Sequence, residues 1–109
     1  MSSNKDLISN AFQVFSEEAP EHAQAWMGLV QGLSSASALD QKTHNLAYLA
    51  VLAALGRTSG IAFHVRMAKQ AGATRDEIIS AVLVGLPPAG HIVTQALPAA
   101  VASYDEASL

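Results

Sequence analysis

Apolar residues recur at helical spacing through most of the chain. In residues 4–18, Leu7, Ile8, Ala11, Phe12 and Phe15 stand one, three and four positions apart, with Asn4, Lys5, Gln13 and Glu17 between them. That period predicts an amphipathic first helix. Ala19-Pro20 breaks it and restarts the chain, because proline lacks an amide hydrogen and suits the first turn of a new helix. Ala23, Trp26, Met27, Val30 and Leu33 then predict the buried stripe of a second helix, with Gly32 and the serines around Ser34 and Ser37 marking its fraying end. Asp40 is placed to cap a third helix, whose segment 46–55 reads LAYLAVLAAL. Alanine and leucine favour helix over strand, and a helix apolar all round predicts burial all round. This segment is the expected central post of the domain, closed by Gly56 as a left-handed cap.

Thr58 or Ser59 offers the next cap, and Ile61, Val65 and Ala68, with His64, Met67 and Ala71, trace one broad face of a fourth helix that ends at Gly72. Thr74-Arg75-Asp76-Glu77 has the capping-box pattern, in which a threonine hydroxyl and a glutamate three residues on satisfy each other's backbone amides. It opens a fifth helix carrying Ile78, Ile79, Val82, Leu83 and Leu86. Two prolines in Gly85-Leu86-Pro87-Pro88-Ala89-Gly90 must interrupt regular structure. A last helix is predicted over residues 88–104, kinked where Pro98 cannot bond the Thr94 carbonyl. The pattern yields one all-α domain of about six helices over residues 1–109, without strands or tandem repeats.

Composition adds an expectation about partners. Half of the chain is hydrophobic and 14% is charged, more apolar matter than a domain of 109 residues hides alone. A homo-oligomer is therefore expected, the alternative being an alanine-rich monomer with a modest core. A net charge of −3 without a basic run gives no electrostatic footprint for nucleic acid. The absence of cysteine from the chain removes disulfide, thiolate-metal and thiol redox chemistry. No uncharged apolar stretch is expected to reach membrane-spanning length, the longest being taken as residues 46–56, so the reading is a soluble cytoplasmic protein with no membrane role.

His64 is the candidate chemical centre, a histidine set into an apolar helical face. It reads either as a core histidine satisfied by a carbonyl or water, or as a general acid or base in a pocket. Gly60, one turn earlier on the same face, leaves space beside it for a small molecule. His91 follows Gly90 where the chain is broken, and it reads as a solvent-exposed side chain or as one aimed into a cleft. His44, near the start of the third helix, reads as a surface residue. With His22, these histidines show no HxxxH or HExxH spacing, so a metal site would need assembly from separate helices or subunits, and none is expected. The segments expected to be buried hold no close pair of carboxylates, and GxSxG, phosphate loops and GxGxxG are missing, which takes support from hydrolase and nucleotide readings.

Leu39-Asp40-Gln41-Lys42-Thr43, the apolar segment after it, His64, Ala68, Ala71-Gly72-Ala73-Thr74 with Glu77-Ile78, and Gly90 together resemble the carboxymuconolactone decarboxylase family, which includes the alkyl-hydroperoxidase D-like proteins. The resemblance covers residues 39–102. It implies an all-α fold assembled as trimers or hexamers, with a small-molecule pocket near subunit contacts. In the hydroperoxidase branch a glutamate lies early in the central helix and a CxxC pair precedes the histidine. Those positions here hold Asn45, Arg57 and Gly60, so thiol peroxidase activity is excluded by composition. The decarboxylase branch works without cysteine. The resemblance therefore implies a cofactor-free lyase for a small carboxylated or lactone-like substrate, with His64 as acid or base and Arg57, Arg66 or His91 holding the carboxylate. A non-catalytic oligomeric binding protein is the alternative, and Asn45 in place of an acid favours it.

Overall fold

The computed structural model describes residues 10–106. They form α1 (Asn10–Glu18), α2 (Pro20–Ala36), α3 (Gln41–Ala54), α4 (Ile61–Gln70), α5 (Arg75–Leu83), α6 (Leu86–Ala89), a 3-10 helix (Gly90–Ala96) and α7 (Leu97–Glu106), with no strand among the described residues. The part of the first helix expected before Asn10 lies outside them. α3 is the axis of the fold, packing on α4, α5 and the 3-10 helix, while α7 closes against α4 and α5. Leu49, Ile61, Val65, Ile78, Val82 and Val93 are fully buried where these elements meet. Each such side chain contributes about 1.5–3 kcal/mol by leaving water. Ile61, Val65 and Ala68 recur at three and four residues, so one face of α4 enters the core and His64, one position from Val65, lies at its edge.

The helix ends follow local chemistry. Asp40 Oδ1 accepts the Thr43 amide at 2.7 Å and starts α3. α3 stops in a Schellman arrangement: the Arg57 amide donates to the Leu52 carbonyl at 2.9 Å and the Gly56 amide to Ala53 at 3.1 Å, with Gly56 at φ +70°. α5 begins with the reciprocal capping box, Glu77 N–H to Thr74 Oγ1 at 3.1 Å and Thr74 N–H to Glu77 Oε1 at 2.8 Å. α4 departs from expectation, because neither Thr58 nor Ser59 caps it. Gly60 at φ +92° holds the N-cap position without a side-chain bond. Ion pairs then brace the elements: Lys42 to Glu77 joins α3 to α5, and Arg75 grips Asp105 of α7 through two nitrogens.

Five expectations need correction. The stripe Trp26, Met27, Val30 and Leu33 is not buried: only Ala23 of α2 is, while Trp26 is 48% and Leu33 63% exposed. α2 packs mainly on α1, and two amphipathic helices lack the surface to cover both of their apolar faces. α2 also runs on through Ala36 instead of fraying at Gly32. α3 is buried on its Asn45–Leu49–Ala53 side only, since its neighbours within the chain do not surround it, and Leu55 beyond its end is 63% exposed. The single last helix is three pieces, because Gly90 at φ +82° breaks it after α6 and Pro98, which has no amide hydrogen, is tolerated only in the first turn of a restarted α7. Finally, residues 78–104 contain no Asp, Glu, Lys or Arg, a longer uncharged run than 46–56. Arg75–Glu106 is long and apolar enough by composition to cross a membrane. Here that stretch is interrupted, α5 packs back on α7, and Ile78, Val82, Val93 and Ala100 supply the core.

Candidate functional site

α3 and α4 bring Asn45 and His64 together. Asn45 is the buried polar side chain of the described core, 5% exposed, and burial obliges both ends of its amide to find partners. Its Nδ2 donates to the Gln41 carbonyl one turn earlier at 2.8 Å, which leaves Oδ1 facing His64 Nδ1 at 3.1 Å. The reverse orientation of the amide would set its oxygen against the Gln41 oxygen. Oδ1 has only lone pairs to offer, so His64 Nδ1 carries the hydrogen and donates it. The tautomer is thereby fixed, and Nε2 holds the free lone pair.

Two aromatic rings bound the imidazole. Tyr48, one turn along α3 from Asn45, stacks on it with ring centres 3.7 Å apart and planes 15° from parallel. Phe63 meets it edge-on, with centres 5.2 Å apart. Gly60 lies close: a Cβ there would fall 4.0 Å from His64 Cδ2 and 3.6 Å from Leu52 Cδ1, in ordinary contact, so it is the backbone at φ +92° that favours glycine. Burial, first, and the charge of His44, second, push the His64 imidazole down to about 4. At neutral pH the ring is uncharged, an acceptor at Nε2 and a donor at Nδ1.

The remaining candidates fall elsewhere. Arg66 is two residues after His64 and so about 200° around α4 from it. Arg57 is exposed in the loop after α3. His91 is exposed, its carbonyl accepting from Thr94 Oγ1 at 2.8 Å. Its neighbour Ile92 lies against Gly56, which places His91 at the C-terminal end of α3, about 12 Å along the axis from Tyr48. The three groups expected to anchor a carboxylate are thus spread over different faces. The residue nearest that role is His44, whose ring is 6.0 Å from that of Tyr48 and whose charge reaches His64.

Tyr48 and His44 were both missing from the sequence-level site. The available signal was their spacing: residues 44, 45 and 48 share one face of a helix at one, three and four positions. What the sequence lacked was the docking of α4 on that face. A separate groove of about 570 Å³ lies between α3 and α5, floored by Leu46, Ala47, Ala50 and Ala81, with Asp76 and Glu77 at its edge. It occupies the side of α3 turned away from His64. No group of three or more His, Asp or Glu is placed to hold a metal ion among the described residues.

These features define an all-helical protein whose two central helices hold a neutral, tautomerically fixed histidine between aromatic rings. The chain belongs to the carboxymuconolactone decarboxylase family, whose model matches residues 20–102. The match includes α2, which lies ahead of the residues 39–102 that carry the resemblance in sequence. No curated protein and no solved structure among those compared matches the chain.

Proposed function

We propose that the protein is a cofactor-free lyase of the decarboxylase type, acting on a small carboxylated or lactone-like substrate with His64 as its proton-handling group. The observation that carries this is the bond from His64 Nδ1 to Asn45, which leaves Nε2 as a directed lone pair in a half-buried, apolar-walled position. A carboxylate bound beside the ring favours the imidazolium, so a histidine neutral in the free protein takes up a proton as substrate arrives. The bond between the carboxyl group and the ring carbon then breaks. Its electron pair passes into the conjugated lactone, carbon dioxide leaves, and the proton on Nε2 is delivered to that carbon. His44, whose ring lies 6.0 Å from that of Tyr48, is the group assigned to hold the substrate carboxylate.

A second reading has its own observation. The groove between α3 and α5 has the volume of small-molecule sites and lies apart from His64, which favours a non-catalytic oligomeric binding protein. Either reading includes self-association, supported by the uncovered apolar faces of α2 and α3. A cytoplasmic, soluble protein is part of the same proposal, supported by the entry of Ile78, Val82, Val93 and Ala100 from the most apolar stretch into the core. Carbon dioxide release measured over a panel of lactone and keto acids tests the lyase. Turnover by the natural chain that is lost in a folded His64→Ala variant is the expected result, and no turnover across the panel leaves the binding protein.

A further inference from the structure

We propose that Tyr48 is a positioning residue for His64, its ring holding the imidazole in the one plane from which Nδ1 meets Asn45 and Nε2 keeps its lone pair. The proposal deepens the reading of His64 as the proton-handling group and rests on it.

The geometry has three parts. An imidazole joined to its helix through two rotatable bonds can turn about the second, and one hydrogen bond at 3.1 Å does not fix a plane. A ring stacked at 3.7 Å and 15° does, because rotation of the imidazole out of plane would drive its edge into the tyrosine face. Phe63, edge-on at 5.2 Å and 80°, limits movement from another side. Tyr48 and Asn45 stand three residues apart on α3, so one turn of one helix supplies both the plane and the proton acceptor, and the two cannot shift independently. Tyr48 is 40% exposed and lies outside the core cluster, so its position is not explained by filling the interior. Its place on α3 follows from the imidazole it covers.

The same cover removes water from one face of the ring. A tyrosine face also attracts a cation, which acts in the opposite direction. Burial is the largest influence on His64, so removal of the ring is expected to favour the protonated form on balance. The groups facing His64 are Asn45, Tyr48 and His44 from α3 and Phe63 from α4. His44 remains in every variant below.

The test follows the His64 ring nitrogens by NMR of 15N-histidine-labelled protein between pH 3.5 and 8, in the natural chain and in Tyr48→Phe, Tyr48→Leu and Tyr48→Ala. Tyr48→Phe keeps a flat face, and is expected to retain the protonated-Nδ1 pattern and the low titration midpoint. Tyr48→Ala is expected to show averaged nitrogens and a midpoint raised by about one unit or more, a tenfold change in proton affinity. Tyr48→Leu keeps apolar bulk without a flat ring, and is expected to lose the fixed tautomer. It decides the matter if Tyr48→Ala fails to fold. A folded Tyr48→Leu or Tyr48→Ala with natural nitrogen shifts and midpoint overturns the proposal. The readout needs no substrate, so a lyase reading that fails on turnover is distinguishable from a positioning role that fails on the spectrum.

Discussion

At the scale of single residues, Asn45 decides what His64 is. An asparagine whose donor end is occupied by Gln41 presents a neutral acceptor, which fixes the imidazole tautomer without stabilising its charge. Asn45→Asp puts a carboxylate against the same Nδ1–H, and the His64 midpoint is expected to rise well above its present position, as NMR titration will show. The low midpoint has a consequence for stability. A histidine near 6.5 when unfolded and about 4 when folded binds its proton first in the unfolded chain. Its contribution is therefore complete above about pH 6.5 and is lost as the pH falls toward 4. Thermal midpoints of the natural chain are expected to fall more steeply over that range than those of His64→Gln. The comparison isolates His64 from carboxylates such as Asp40 and Asp105, which are held below their usual range by Thr43 and Arg75 respectively. For the proposed lyase, one proton is shared between Nε2 and the substrate carboxyl. kcat/KM is accordingly expected to fall about tenfold per pH unit from pH 5 upward.

At the scale of elements, the ends of α3 and α5 do more than stop and start helices. The capping box sets where α5 begins, and with it the register that places Ile78 and Val82 in the core and Glu77 opposite Lys42. Thr74→Ala is expected to cost about 1 kcal/mol in denaturant unfolding. Ser59→Ala, in contrast, is expected to change stability by no more than about 0.5 kcal/mol, because Ser59 caps nothing. Gly56 and Gly60 bracket the loop between the helices that carry the site, both at positive φ. That loop turns α4 back so that His64 reaches the side of Tyr48, and a side chain at Gly60 would be strained and would touch the imidazole.

At the scale of the whole molecule, the uncovered apolar faces are the main unfinished business of the fold. Trp26, Leu29 and Leu33 on α2, and Val51 with Leu55 at the end of α3, are exposed together on a small domain. Light scattering with size-exclusion chromatography is expected to find an oligomer at micromolar concentration. Leu33→Glu is expected to shift it toward monomer without loss of helix content, since no core residue is altered. A folded natural chain that stays monomeric would return the question to the alanine-rich monomer that composition also permitted.

The sequence by itself determined the local order of this protein. Capping residues, glycines and prolines act over a few neighbours, so the punctuation at Asp40, Gly56, Thr74 and Gly85–Gly90 was legible, as were the all-helical class and the family. The tertiary structure decided everything that depends on which helix faces lie against each other. Periodicity gives each helix an apolar face but not the area available to cover it, which is why the α2 stripe was read as buried and α3 as enclosed. The site shows the same limit. His64 was visible as a polar residue on an apolar face, and Asn45 and Gly60 through family positions. Tyr48 and His44 became part of it only when α4 docked on one side of α3, and that same docking left Arg57, Arg66 and His91 on other faces.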